Sequence, residues 1–158
     1  MEITTMIYED FTNYKLPSLF IGFPRCTFKC NKDCGRKVCQ NMDLMNADHL
    51  DIPIDYIIDR YINNTITKAL VCGGLEPFDS FDDLFTLCSE FRKATNDPII
   101  IYTGYYPDEI EWCVTTLTKY INNVIIKYGR FIPDSEKRYE PILGVYLASD
   151  NQYAKEYL

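Results

Sequence analysis

The chain has 158 residues, a net charge of −7 and 47% hydrophobic residues. That length buries a substantial core and predicts one domain over residues 1–158. The negative charge gives a nucleic-acid partner no electrostatic support, and no apolar run approaches the ~20 residues of a membrane span. The opening, MEITTMIYEDFTNYK, has neither a basic start nor a continuous apolar stretch, so a cytoplasmic protein without a secretory signal is expected. Seven cysteines in such a chain favour a metal or catalysis over disulfides, and an odd number leaves at least one unpaired in any disulfide scheme.

In chain order, Ile3 to Tyr8 predicts a short strand, with Asp10 and Asn13 in the turn after it. Leu19 to Phe23 is a second strand, and it empties past Pro24 into a cysteine-rich loop holding Cys26, Cys30, Cys34 and Cys39. Asp51-Ile52-Pro53 reads as a helix start with a capping Asp, and Ile54, Ile57, Ile58, Tyr61 and Ile62 then share one helical face. Ala69 to Cys72 is a buried strand ending in Gly73-Gly74. A second helix carries Phe81, Leu84, Leu87, Cys88 and Phe91 at helical spacing, and Pro98 to Tyr102 is an apolar strand ending in Thr103-Gly104. A third helix is expected from Pro107, with Asp108 and Glu109 in its first turn and Ile110, Cys113, Val114, Leu117 and Ile121 inward. Val124 to Ile126 runs as a strand into Gly129-Arg130, and Ile142 to Leu147 is the last strand, followed by a short helix from about Asp150.

Apolar strands alternating with amphipathic helices predict mostly parallel strands covered by helices. In such folds the site gathers at the carboxyl ends of the strands. Five strand ends carry polar or Gly-rich residues here: the cysteine loop, Gly73 to Pro77, Thr103-Gly104, Gly129-Arg130 and Ser149 to Asn151. They predict one composite site. Three or four thiolates converge there on either a closed zinc tetrahedron or an iron–sulfur cluster with one iron open. Cys72, Cys88 and Cys113 fall on apolar faces and read as core, and the single histidine, His49, reads as solvated. Its isolation argues against a His-based nucleophile system.

Cys26-Thr27-Phe28-Lys29-Cys30 resembles the first half of the CxxxCxxC signature of radical S-adenosylmethionine (SAM) proteins, and Gly73-Gly74-Leu75-Glu76-Pro77 resembles their GGEP motif with one extra Leu. More narrowly, the chain resembles the activating subunit of anaerobic (class III) ribonucleotide reductase. Tyr8 to Asn13, Tyr102-Thr103-Gly104-Tyr105, Gly129-Arg130-Phe131 and Ala148-Ser149-Asp150-Asn151-Gln152 match that family's elements in order over nearly the whole chain. One departure stands out. Cys34 lies one residue beyond the family's third cysteine, while Cys39 brings the family's C-x-N ending as Cys39-Gln40-Asn41.

The resemblance implies an α/β fold, a partial (βα) barrel with mostly parallel strands of the radical SAM type. It implies a [4Fe–4S] cluster on Cys26, Cys30 and Cys39, with Cys34 the alternative third ligand. It implies S-adenosyl-L-methionine held by Gly73, Gly74, Glu76, Thr103, Ser149 and Asn151, and no catalytic residue beyond the cluster. The implied partners are a large glycyl-radical reductase subunit and an electron donor such as flavodoxin or ferredoxin. Lys29, Lys32, Arg36 and Lys37 place positive charge around the loop, where it can steady an anionic cluster, raise its potential or contact the partner. Two other functions stay open at this point: a small radical SAM enzyme like 7-carboxy-7-deazaguanine synthase, and a zinc-stapled interaction module without catalysis.

Overall fold

In the computed structural model, which describes residues 1–158, the chain opens with two short strands, β1 (Glu2–Ile3) and β2 (Thr5–Asp10). β3 (Ser18–Phe23) leads into the cysteine loop, which contains a short helix α1 (Lys29–Cys34) and a 3₁₀ turn over Met42–Asn46. β4 (Leu50–Asp51), α2 (Ile54–Ile62), β5 (Ala69–Gly74), α3 (Phe81–Ala94), β6 (Ile99–Tyr102), α4 (Glu111–Tyr120) and β7 (Val124–Tyr128) follow. The chain ends with β8 (Arg138–Glu140), β9 (Val145–Leu147) and β10 (Tyr153–Tyr157).

Six strands form the central sheet in the order β10-β7-β6-β5-β3-β2. β3, β5, β6 and β7 are parallel, as their apolar character predicts, and β2 and β10 add antiparallel edges. The sheet is open at both edges and does not close into a barrel. Phe23 pairs with Gly74 and Tyr102 with Lys127, so the carboxyl ends of the four parallel strands lie along one border of the sheet.

The two faces of the sheet are covered differently. On one, Ile21, Leu70, Cys72, Ile99, Ile101 and Ile126 pack against Ile57 and Tyr61 of α2, Leu84, Leu87 and Phe91 of α3, and Val114 and Leu117 of α4. Each of the larger apolar side chains contributes ~1.5–3 kcal/mol by leaving water. On the other face, Val71, Ile100 and Ile125 meet Tyr14, Leu143, Leu147 and Ala154, which belong to a loop, the β8–β9 hairpin and β10. No helix covers that face, and the cover leaves room near the strand ends.

Four expectations need correction. Asp51 is no helix cap: it sits in β4, pairs with Glu2 and meets the N-terminal amine, and Pro53 takes the cap position of α2 without a side-chain bond. Ile62 lies off the buried face of α2 and is 52% exposed. The helix expected from Pro107 is a 3₁₀ turn over Pro107–Glu109, broken at Ile110 before α4 begins. Glu109 causes the break, because its carboxylate turns back to accept the Tyr106 N–H at 2.9 Å and closes the turn. Last, the segment after Asp150 is strand and not helix, since its amides pair with β7 from Tyr153–Tyr128 to Tyr157–Val124.

Candidate metal centre

A cavity of about 450 Å³ opens at the carboxyl border of the sheet. It is lined by Cys26, Cys30 and Cys39, by Gly73 to Glu76, by Thr103 and Gly104, and by Lys127, Gly129 and Phe131. Four of the five strand ends singled out from the sequence thus line one place, and the fifth, Ser149 to Asn151, reaches it only through the flanking Ala148 and Gln152. Cys34 is exposed on the last turn of α1 and does not line the cavity.

The local chain explains which cysteines face inward. Phe28 takes a left-handed conformation, φ 53°, so the chain reverses after Cys26 and its amide donates to the Cys26 sulfur at 3.2 Å. α1 then carries Cys30 inward and Cys34 outward. Gly35, φ 65°, ends the helix in the conformation that glycine adopts freely. The chain folds back, and the Asn31 carboxamide oxygen accepts the amides of Val38 and Cys39 at 2.8 and 2.9 Å. That clamp returns Cys39 to the cavity. Asn41 closes the loop by donating to the Gly74 carbonyl at 2.7 Å.

Glu76 organises the wall opposite the loop. It is 4% exposed. Its Oε1 accepts the Phe78 amide at 3.1 Å and the Thr103 hydroxyl at 2.8 Å, and its Oε2 accepts the Gly104 amide at 2.9 Å. Burial nevertheless pushes its carboxyl up to about 7, because three donors only partly offset the loss of water. Burial also pushes the Cys26 thiol up to about 12 and raises that of Cys30, with the Cys39 sulfur adding like charge to both. Three thiols lining one cavity suit a polynuclear cluster.

The glycines have structural work of their own. Gly74 has φ 87°, and a Cβ there would meet Gly22 Cα at 2.9 Å. A Cβ on Gly73 would meet the Phe20 ring at 3.0 Å. Close packing of β5 on β3 therefore requires Gly74, independently of any ligand, while at Gly73 the Phe20 ring would have to give way.

An ion-pair network fastens the loop. Glu109 accepts Lys29 at 2.8 Å and Arg130 at 2.9 Å, and Arg130 also pairs with Asp33 of α1. Arg130 and Lys29 hold the Glu109 carboxyl down at about 2. A second tether runs through Asp79, which accepts the Thr27 amide at 2.7 Å and the Tyr105 hydroxyl at 2.6 Å.

Two of the candidate residues stand outside the cavity lining. Ser149 is fully buried, and its Oγ accepts the Ile132 amide at 3.3 Å. Asn151 donates to the Arg130 carbonyl at 2.9 Å and to the Tyr106 hydroxyl at 3.0 Å. Both brace the segment after β7 from behind. The neighbouring Gln152 does line the cavity, and donates to the Gly129 carbonyl at 3.1 Å. Lys127 also lines it and carried no signal in the sequence beyond closing an apolar strand. Cys72 and Cys88 are core, Cys113 is half-buried against it, and His49 is exposed, as expected. No helix is long and apolar enough to cross a membrane.

A family described as a 4Fe-4S single cluster domain matches residues 18–152, from β3 to Gln152. No curated protein matches the chain, and no solved structure does. Three inward thiols in a cavity large enough for more than one ion fit the cofactor which that family implies. The chain belongs to the family of 4Fe-4S single cluster domains.

Proposed function

We propose that this chain is a radical SAM protein whose cluster is held by Cys26, Cys30 and Cys39 and whose product is a glycyl radical on an anaerobic ribonucleotide reductase. The observation that carries the reading is the division of the four loop cysteines: three line the cavity and Cys34 does not. Three thiolates leave one iron of a four-iron cluster without a protein ligand. A closed zinc tetrahedron on this loop needs the fourth, which points to solvent.

Cys26, Cys30 and Cys39 would hold the cluster, and the chemistry it would supply is one-electron reductive cleavage of a SAM carbon–sulfur bond, with the electron coming from a donor such as flavodoxin or ferredoxin. The chain's own residues bind and orient. Glu76 Oε2 takes a single donor, so the carboxylate keeps room for an ammonium such as the SAM amino group. Thr103 holds Glu76 in place, donating to it while accepting the Tyr105 amide at 3.0 Å. The Gly73-Gly74 backbone forms the adjoining wall. Ser149 and Asn151 act on the ligand indirectly, by fixing the Gly129 to Phe131 segment.

A protein substrate is favoured by the outer rim. The β8–β9 hairpin contributes Val145, Tyr146 and Leu147 to the cavity, and Tyr146 is 71% exposed. A short two-stranded flap beside the site suits an incoming loop better than enclosure of a small molecule. Anaerobically reconstituted protein given dithionite and SAM is expected to release 5′-deoxyadenosine. A fully loaded cluster that leaves SAM intact under reducing conditions contradicts the radical SAM reading.

A further inference from the structure

Of the four cations expected around the loop, Lys29 and Arg36 are paired, with Glu109 and Asp134, and Lys32 and Lys37 stand in water. Arg130 pairs with Glu109 and Asp33, and Arg25 with Glu2. One cation is different. Lys127 is 7% exposed, lines the same cavity as the three inward cysteines, and has no carboxylate within ion-pair distance.

Its surroundings do not satisfy it. Nζ donates to the Gly129 carbonyl at 3.0 Å and lies 5.9 Å from the centre of the Tyr102 ring. An ammonium has three N–H groups, so two remain without a protein acceptor. Glu76, the buried acid on the opposite wall, attracts the ammonium across the cavity but forms no ion pair with it, and the donors its oxygens hold are those of Phe78, Thr103 and Gly104. The cost shows in the ammonium itself, which burial brings down to about 8. An unpaired charge in a low-dielectric wall costs several kcal/mol unless an anion joins it. The cavity that Lys127 lines is the one lined by the Cys26, Cys30 and Cys39 thiols, so a thiolate-bound cluster there brings an anion to the same space.

We propose that Lys127 is the countercharge built into this cavity for the cluster, and that its ammonium favours the reduced state and raises the cluster's reduction potential. The reasoning is elementary. Adding one electron makes the centre more negative, and a fixed cation nearby stabilises the more negative state. The inference rests on the iron–sulfur reading of the site and not on SAM chemistry. It also replaces the lysines and arginines of the loop, whose charge is paired or in water.

The test is a redox titration of the reconstituted cluster without SAM, followed by its visible absorbance, in wild type, Lys127→Met and Lys127→Arg. The Met variant is expected to show at least a tenfold smaller reduction equilibrium constant, a midpoint ~59 mV more negative for one electron. The Arg variant stays within a few-fold of wild type. The metal-free Met variant melts no lower than wild type, because it removes a poorly satisfied buried charge. Equal midpoints for wild type and Met overturn the proposal. If the Met variant also melts lower, Lys127 is a tether for the Gly129 carbonyl and nothing more. Should the Met variant take up no iron, iron uptake by the Arg variant supports the countercharge and its failure overturns it. A wild-type chain that binds no cluster refutes the iron–sulfur reading and this inference together, whereas a wild-type cluster that cannot cleave SAM refutes only the radical SAM reading.

Discussion

Glu76 shows how one side chain joins two strand ends and a helix start. It stands after β5, it holds Thr103 and Gly104 after β6, and it caps the turn into α3 through Phe78. Glu76→Gln puts an amide NH₂ where either Gly104 N–H or the Phe78 and Thr103 donors now point. Loss of one charge-assisted bond costs on the order of 1.5–3 kcal/mol. SAM affinity is therefore expected to fall roughly tenfold or more, with the cluster retained, and equilibrium binding to the reconstituted variant measures it. Unchanged affinity assigns Glu76 to the turn alone. Glu76 and Thr103 were legible in the sequence because polar residues directly after apolar strands stand out. Lys127 was not, because a lysine after Val-Ile-Ile reads as the point where a strand meets water. Its surroundings include the Tyr102 ring, 5.9 Å from Nζ and far from it in sequence. Ser149 and Asn151 were legible as a polar strand end, but their side chains point to neighbouring backbone, and only Gln152 faces the cavity.

At the scale of elements, the loop is held by charges from elsewhere in the chain. α1 has no buried residue of its own, so packing gives it little. Lys29 and Asp33 tie it to Glu109 and Arg130, beyond β6 and β7. The Glu109 carboxyl titrates near 2 in the fold against an ordinary value of 4.5. A depressed carboxyl stabilises the fold above its unfolded value and loses that contribution as pH falls from about 4.5 towards 2. The metal-free protein should accordingly lose stability through that window, and Glu109→Gln should flatten the loss. At neutral pH the variant should unfold more easily by about 1–2 kcal/mol, below the full charge-assisted range because Glu109 remains 19% exposed. Chemical denaturation from pH 2 to 7 reads both effects, and identical acid limbs would show that the network is decorative.

The long amphipathic helices α2 and α3 and the apolar strands were legible from periodicity, because each buries one continuous face. β10 was not. Tyr-Ala-Lys-Glu-Tyr has no clean alternation, and only pairing with the edge of β7 makes it a strand. The break at Ile110 was hidden for the opposite reason, since Glu109 suits a helix start by composition but spends its carboxylate on Tyr106, Lys29 and Arg130.

For the whole molecule, the parallel core and the meeting of four of the five strand ends followed from the order of apolar strands and punctuating residues. The asymmetry of the two faces did not, because the cover of the second face is made from a loop, a hairpin and an edge strand without helical periodicity. That asymmetry leaves a cavity at the carboxyl border of the sheet, towards which the loop turns three cysteines. The most direct measurement is iron and sulfide content after anaerobic reconstitution of wild type and of Cys26→Ala, Cys30→Ala, Cys34→Ala and Cys39→Ala. Wild type and Cys34→Ala are expected to hold four irons and four sulfides per chain, the content of the family's single cluster, and the other three variants to lose them. Retention in Cys39→Ala with loss in Cys34→Ala contradicts the fold of the loop described here, and loss in all four contradicts a cluster with an open iron.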